Sequence, residues 1–173
     1  MLGKYAAENT AGLVFDFISP DYVNLGNPPD LDSCTRDTYP EKTTFTLEGV
    51  LTIARGIASA VAHLHRRGIM HGDLYAHNIL VDQAGHSILG DFGAASFYDP
   101  ADLVTGHALE RLEVRAFGCL LEDLLNHAPS DESAAGDTLQ ALRLLQQQCL
   151  VEAPEERPLF SAIVQILERL TML

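Results

Sequence analysis

HGDLYAHNIL, from His71 to Leu80, sets a carboxylate at Asp73 and a carboxamide at Asn78, directly before an apolar run. The flanking residues extend the pattern. "NILV" (78–81) reads as a short strand, "DQAG" (82–85) as a turn, and "HSILG" (86–90) as the returning strand, with "DFGAASF" following from Asp91. A hairpin brings its two ends together, so Asn78 and Asp91 are expected side by side, with Asp73 one loop away. Oxygen donors of this kind, with no thiolate or imidazole required, suit a hard cation such as Mg²⁺. Asp73 then stands where it can take a proton from an attacking hydroxyl. A metal clamp, a placed nucleophile and little covalent chemistry are the parts of phosphoryl transfer. The plainer reading makes these residues turn formers that satisfy backbone groups.

Upstream, Leu47, Leu51, Ala54, Ala58, Val61 and His65 recur at three- and four-residue steps, with Ile57 and Leu64 widening the stripe. That is an amphipathic helix; Arg66 and Arg67 suit the negative end of its dipole and Gly68 ends it. Downstream, 109–125 is apolar on most faces, the mark of a helix buried at the centre of a domain. Further helices are expected from about Thr138 to Leu150, with Asp137 as N-cap and Pro154 beyond the end, and from about Phe160. Toward the N-terminus, "GLVFDFI" (12–18), bounded by Gly12 and Ser19-Pro20, reads as a buried strand. Between them, 19–46 is rich in Pro, Gly, Asp, Asn and Thr; irregular segments of this length are usually functional or disordered.

The 173 residues suit one domain. A net charge of -13 argues against nucleic acid or an anionic membrane as partner. Cys34, Cys119 and Cys149 form no CxxC pair, so neither a disulfide framework nor a zinc knuckle is expected, and Cys119 and Cys149 read as small buried hydrophobes. No signal peptide and no long apolar span is visible, and a reduced, cytoplasmic location is expected. His63, His65, His86, His107 and His127 show no ligand spacing and read as surface or satisfied core histidines.

These motifs together resemble the protein kinase superfamily, eukaryotic type, in its C-terminal lobe. "HGDLYAHN" resembles the catalytic loop H-R-D-L-x-x-x-N, and DFG is present at 91–93. "GLVFDFI" resembles the strand and hinge beside adenine. "EVRAFGCLLEDLL" (113–125) resembles the central buried helix, and "CLVEAPEERPLFSAIVQIL" (149–167) the closing C-x-x-x-x-P-x-x-R-P-x-F stretch. The resemblance implies a mainly α fold, a kinase C-lobe-like helical domain whose small β-hairpin carries the catalytic and metal-binding loops. It implies one lobe over 1–173: a hinge region at 1–18, a loop at 19–46, a helical part at 47–173, and no N-terminal lobe. Asp73 would be the catalytic base, and Asn78 and Asp91 the Mg²⁺ ligands. Asp16 and Ile18 would meet the adenine of ATP through their backbone, with Phe15 behind the ring and Leu80 beneath it. His71 and Phe92 would stack. The implied reaction is transfer of the ATP γ-phosphate to a protein hydroxyl, of the serine/threonine kinase type.

Departures from the family pattern matter as much. No G-x-G-x-x-G loop occurs, and the only lysines are Lys4 and Lys42, neither in a V-A-I-K motif. Gly72 replaces the catalytic-loop arginine, and Tyr75 the lysine two places after Asp73. His77 stands where some tyrosine kinases carry arginine. Glu113 replaces aspartate. The stretch from Asp91 to Glu113 is short and holds no A-P-E motif, so Arg157 is expected to lack its usual partner. With no phosphate loop, Mg²⁺ alone would face the phosphate charge, and each lost donor costs roughly 10²–10³ in rate. A partner supplying an N-lobe is therefore expected beside the protein substrate. Two other readings stay open: a pseudokinase-like interaction module, and a small-molecule phosphotransferase of the aminoglycoside or choline kinase type.

Overall fold

Helix α1 (Leu47–His65) is the axis on which the chain packs. Thr46 caps its start, the hydroxyl accepting from Gly49 N at 3.0 Å, and Arg66 caps its end. Its apolar stripe, Val50, Ile53, Ala54, Ile57, Ala58 and Val61, is buried almost completely. By length and composition α1 is apolar enough to cross a membrane, but that stripe faces other helices and a sheet, the place of a core helix. The computed structural model describes residues 2–7, 10–128 and 136–172. Within them, three more helices follow: α2 (Leu103–Asn126), α3 (Gly136–Leu150) and α4 (Phe160–Leu170). Helix α4 packs on α1 and α3 on α2, and Phe117 of α2 meets Phe160 of α4 edge-on at 5.5 Å.

Among the described residues, three small sheets complete the fold. Strands β1 (Gly3–Ala7) and β2 (Thr10–Val14) form an antiparallel hairpin. Strand β3 (Val23–Asn24) precedes α1, and β4 (Ile69–Met70) follows it. Strands β5 (Ile79–Val81) and β6 (Ser87–Leu89) pair as the expected hairpin, Ile79 opposite Leu89, and β3 adds to the outer edge of β5. Strand β7 (Ser96–Phe97) returns to pair with β4, so the start of the loop 71–78 and the end of the stretch after Asp91 are tied together. The mainly helical architecture with small sheets agrees with the expectation from sequence.

Three expectations need correction. The "GLVFDFI" stretch is not a buried strand: β2 ends at Val14, 15–18 lie outside any strand, and Leu13 to Ile18 are all exposed. An apolar run signals a surface that prefers cover, not the presence of the cover. Helix α2 begins at Leu103, six residues before the expected start, because the Asp102 side chain accepts from Val104 N and Thr105 N. Asp137 lies inside the first turn of α3 rather than capping it.

The long loop is ordered rather than loose. Asn27 and Thr38 exchange backbone hydrogen bonds across it. Arg36 reaches α2, donating to Cys119 O and pairing with Glu122 and Asp123. Tyr39 packs its ring 4.5 Å from that of His127.

Candidate active site

The turn Ala76–Asn78 delivers Asn78 to the start of β5, and the amide of Asn78 then fixes Asp73. Its Nδ2 donates to Asp73 O at 3.0 Å and to Asp73 Oδ2 at 2.9 Å. Both partners are acceptors, so the nitrogen must face them and Oδ1 is the group left over. Asn78 O in turn accepts from Gly90 N at 2.8 Å, the residue before Asp91. His71 closes the circuit from below. Fully buried, it donates from Nε2 to Gly90 O at 2.8 Å, and its Nδ1 accepts from Asp73 N at 3.3 Å. Its ring meets Phe92 at 4.8 Å in an edge contact. Asp73, Asn78 and Asp91 are thus held by one hydrogen-bonded frame.

Below this frame lies Glu113 of α2, a buried carboxylate. Its Oε1 accepts from Gly72 N at 2.7 Å, and its Oε2 from His71 N at 3.2 Å and from His65 Nε2 at 2.6 Å. Burial works to raise its carboxyl, yet the hydrogen bonds from His65, Gly72 and His71 outweigh burial and hold it below the ordinary glutamate value. His65, read from the sequence as a surface or satisfied core histidine, therefore links α1 and α2 to the loop 71–78. A histidine on the buried stripe of a helix needs a buried acceptor, which is the signal the sequence carried.

Asp91 is exposed and left-handed, φ 48°, with its carboxylate accepting from Gly93 N at 3.1 Å. Carboxylate and carboxamide oxygens on adjoining rungs fit a hard cation. Among the described residues no cluster of three His, Cys, Asp or Glu would hold a metal unaided, so such a cation would complete its shell with water or phosphate. Gly72 is left-handed too, φ 81°, and a Cβ there would lie 2.6 Å from Ala94 O. Restoring the family's arginine by Gly72→Arg is thus expected to destabilise the chain by about 1–3 kcal/mol, lowering the urea midpoint; an unchanged midpoint would contradict this strain.

The residues expected around adenine are placed differently from the catalytic set. Leu80 lies half-buried in β5, opposite Ile88 and Asn24. Phe15, Asp16 and Ile18 are exposed and make no hydrogen bond among the described residues. Asp37 of the long loop had no signal in the sequence, yet it joins the site: its carboxylate accepts from Ala76 N and His77 Nδ1. Beside the residues that follow Asp73, a cavity of about 430 Å³ opens between Asp37, Tyr75, Arg115, Cys119 and Asp123.

Known proteins carry the same pattern. The family described as Protein kinase domain matches residues 17–112. The serine/threonine-protein kinase US3 homolog of Gallid herpesvirus 2 is 43% identical over 53 residues, 31% of this chain and 13% of that protein. The serine/threonine-protein kinase AtPK1/AtPK6 of Arabidopsis thaliana is 56% identical over 43 residues, 25% of this chain and 9% of that protein. The serine/threonine-protein kinase TAO2 of Xenopus laevis is 33% identical over 104 residues, 60% of this chain and 9% of that protein. The chain thus spans a small part of the length of these relatives. The family match takes in Asp73, Asn78 and Asp91 and covers more than half of the sequence, and on that ground the chain belongs to the protein kinase family.

Proposed function

We propose that this chain carries the catalytic half of an ATP-dependent phosphoryl-transfer site of the serine/threonine kinase type, corresponding to the C-terminal lobe of the family. One observation carries the reading: the Asn78 amide spends both N–H groups on Asp73, which leaves its oxygen as the free group, while the Asn78 carbonyl holds Gly90, the residue before Asp91. Asp73 would accept the proton of the incoming protein hydroxyl as its oxygen bonds the γ-phosphorus and ADP leaves. Asn78 and Asp91 would hold Mg²⁺, which would neutralise phosphate charge. Leu80 would lie beneath adenine, Phe15 behind the ring, and the backbone of Asp16 and Ile18 along its edge. The cavity beside Tyr75 offers room for the acceptor chain.

Titration calorimetry of Mg²⁺·ATP into the chain tests this. Binding is expected in the wild type, and Asp91→Ala should weaken it at least tenfold by removing a charged ligand. Equal affinity in the two would end the reading.

The exposure of Tyr5, Leu13, Phe15 and Phe17 favours a second element of the proposal. A two-stranded hairpin is marginal in water without cover. A protein partner supplying an N-lobe would cover it and roof the adenine site. The alternative is a pseudokinase-like interaction module, in which the same surface binds a partner and no transfer occurs. A cytoplasmic location remains part of the proposal.

A further inference from the structure

We propose that Asp37 is the positioning residue that sets the Asn78–Asp73 pair; the inference rests on the metal role proposed for Asn78. The turn Ala76–Asn78 is one turn of 3-10 helix, and the first N–H groups of any helix lack partners within it. Tyr75, at its N-cap, makes no side-chain bond that would supply one. Asp37 does so from across the fold. Its side chain is 3% exposed; Oδ2 accepts from Ala76 N at 2.5 Å, and Oδ1 accepts from His77 Nδ1 at 2.6 Å. The two residues immediately before Asn78 therefore hang on one buried carboxylate.

That carboxylate is itself on a fixed mount. Arg36 anchors one side of it to α2, and Thr38 anchors the other to Asn27. The opposite arm of the loop grips the same turn: Leu25 N donates to Ile79 O at 2.8 Å, and Asn24 Nδ2 to His77 O at 3.4 Å. Both Asn78 bonds to Asp73 depend on where this turn sits. Groups that orient a metal ligand through hydrogen bonds typically govern 10- to 100-fold in metal affinity. The 19–46 segment thus does more than connect: it aims a metal ligand.

The test uses the full chain with Mn²⁺ as probe, in wild type, Asp37→Ala and Asp37→Asn. Amide exchange at Ala76, the Asn78 side-chain resonances and Mn²⁺ affinity from paramagnetic broadening are read together. In Asp37→Ala, Ala76 exchange should rise at least tenfold, Asn78 should shift, and Mn²⁺ affinity should fall about 10- to 100-fold. The amides of α1 should stay protected. Asp37→Asn keeps an oxygen for Ala76 N and should recover most of each effect, a rescue that general loosening would not give. Unchanged Ala76 protection overturns the proposal, as does unchanged Mn²⁺ affinity once protection is lost. Should the wild type take up no Mn²⁺, the metal role of Asn78 fails instead; the Asn78 resonances then decide whether Asp37 positions the pair, and an unmoved Asn78 overturns it. If Asp37→Ala does not fold, Asp37→Asn against wild type decides: near-wild-type Ala76 protection and Asn78 resonances support the proposal, and wild-type Mn²⁺ affinity despite lost protection overturns it.

Discussion

Replacing Glu113 with alanine is expected to lower the free energy of unfolding by about 3–5 kcal/mol, the scale for removing one partner of a buried pair. The side chain is almost wholly buried and accepts from three donors, His65 Nε2, His71 N and Gly72 N. Alanine would leave all three facing a void. Glu113→Gln keeps the shape but turns an amide N–H₂ toward one of those donors, and about 1–3 kcal/mol should be lost. The pH dependence has a definite sign. The folded carboxyl is held below its ordinary value, so its contribution is fully present above the unfolded glutamate pKa of about 4.3. It fades as pH falls through the depressed folded value. The gap between wild type and Glu113→Ala should therefore be widest near neutrality and shrink on acidification below about pH 4. Urea unfolding of both chains across that range measures it. A gap under 1 kcal/mol at pH 7, or one that widens in acid, would show that Glu113 does not bear this load.

What the sequence disclosed follows from the range of the signals. The hairpin of β5 and β6 rests on local turn chemistry at 82–85, and α1 on a stripe repeated over five turns, so both were legible. The candidate site was half legible. Asp73, Asn78 and Asp91 are close in sequence, and the hairpin between them carries the geometry. The partners of Asp37 and His65 were not legible, because they lie 40 and 48 residues away. Asp37 sits among other loop acids and reads as one more solvated carboxylate. The exposed Phe15 and Phe17 show the opposite failure: an apolar pattern states what a segment would bury, and here the described residues offer nothing to bury it.

Arg157 supplies the second large effect. The sequence reading left it without its usual partner, the glutamate of an A-P-E motif. In the fold it is buried, and no carboxylate meets it among the described residues; three carbonyls do. Its Nε donates to Val151 O at 2.8 Å, Nη2 to Glu152 O at 3.1 Å and Nη1 to Arg111 O at 3.1 Å. Val151 and Glu152 follow directly on the end of α3, where carbonyls lack helical donors and the dipole is negative. Arg157 therefore closes α3 and ties it to α2, while Arg111 Nε returns a bond to Arg157 O at 3.2 Å. Arg157→Leu keeps bulk and removes every donor, and about 2–4 kcal/mol should be lost as these carbonyls go unmet. Arg157→Lys offers a point charge where a planar fork is required, and should recover only part of it. A Lys variant as stable as wild type would mean that the charge at the end of α3, rather than the three-way fork, is what the fold uses.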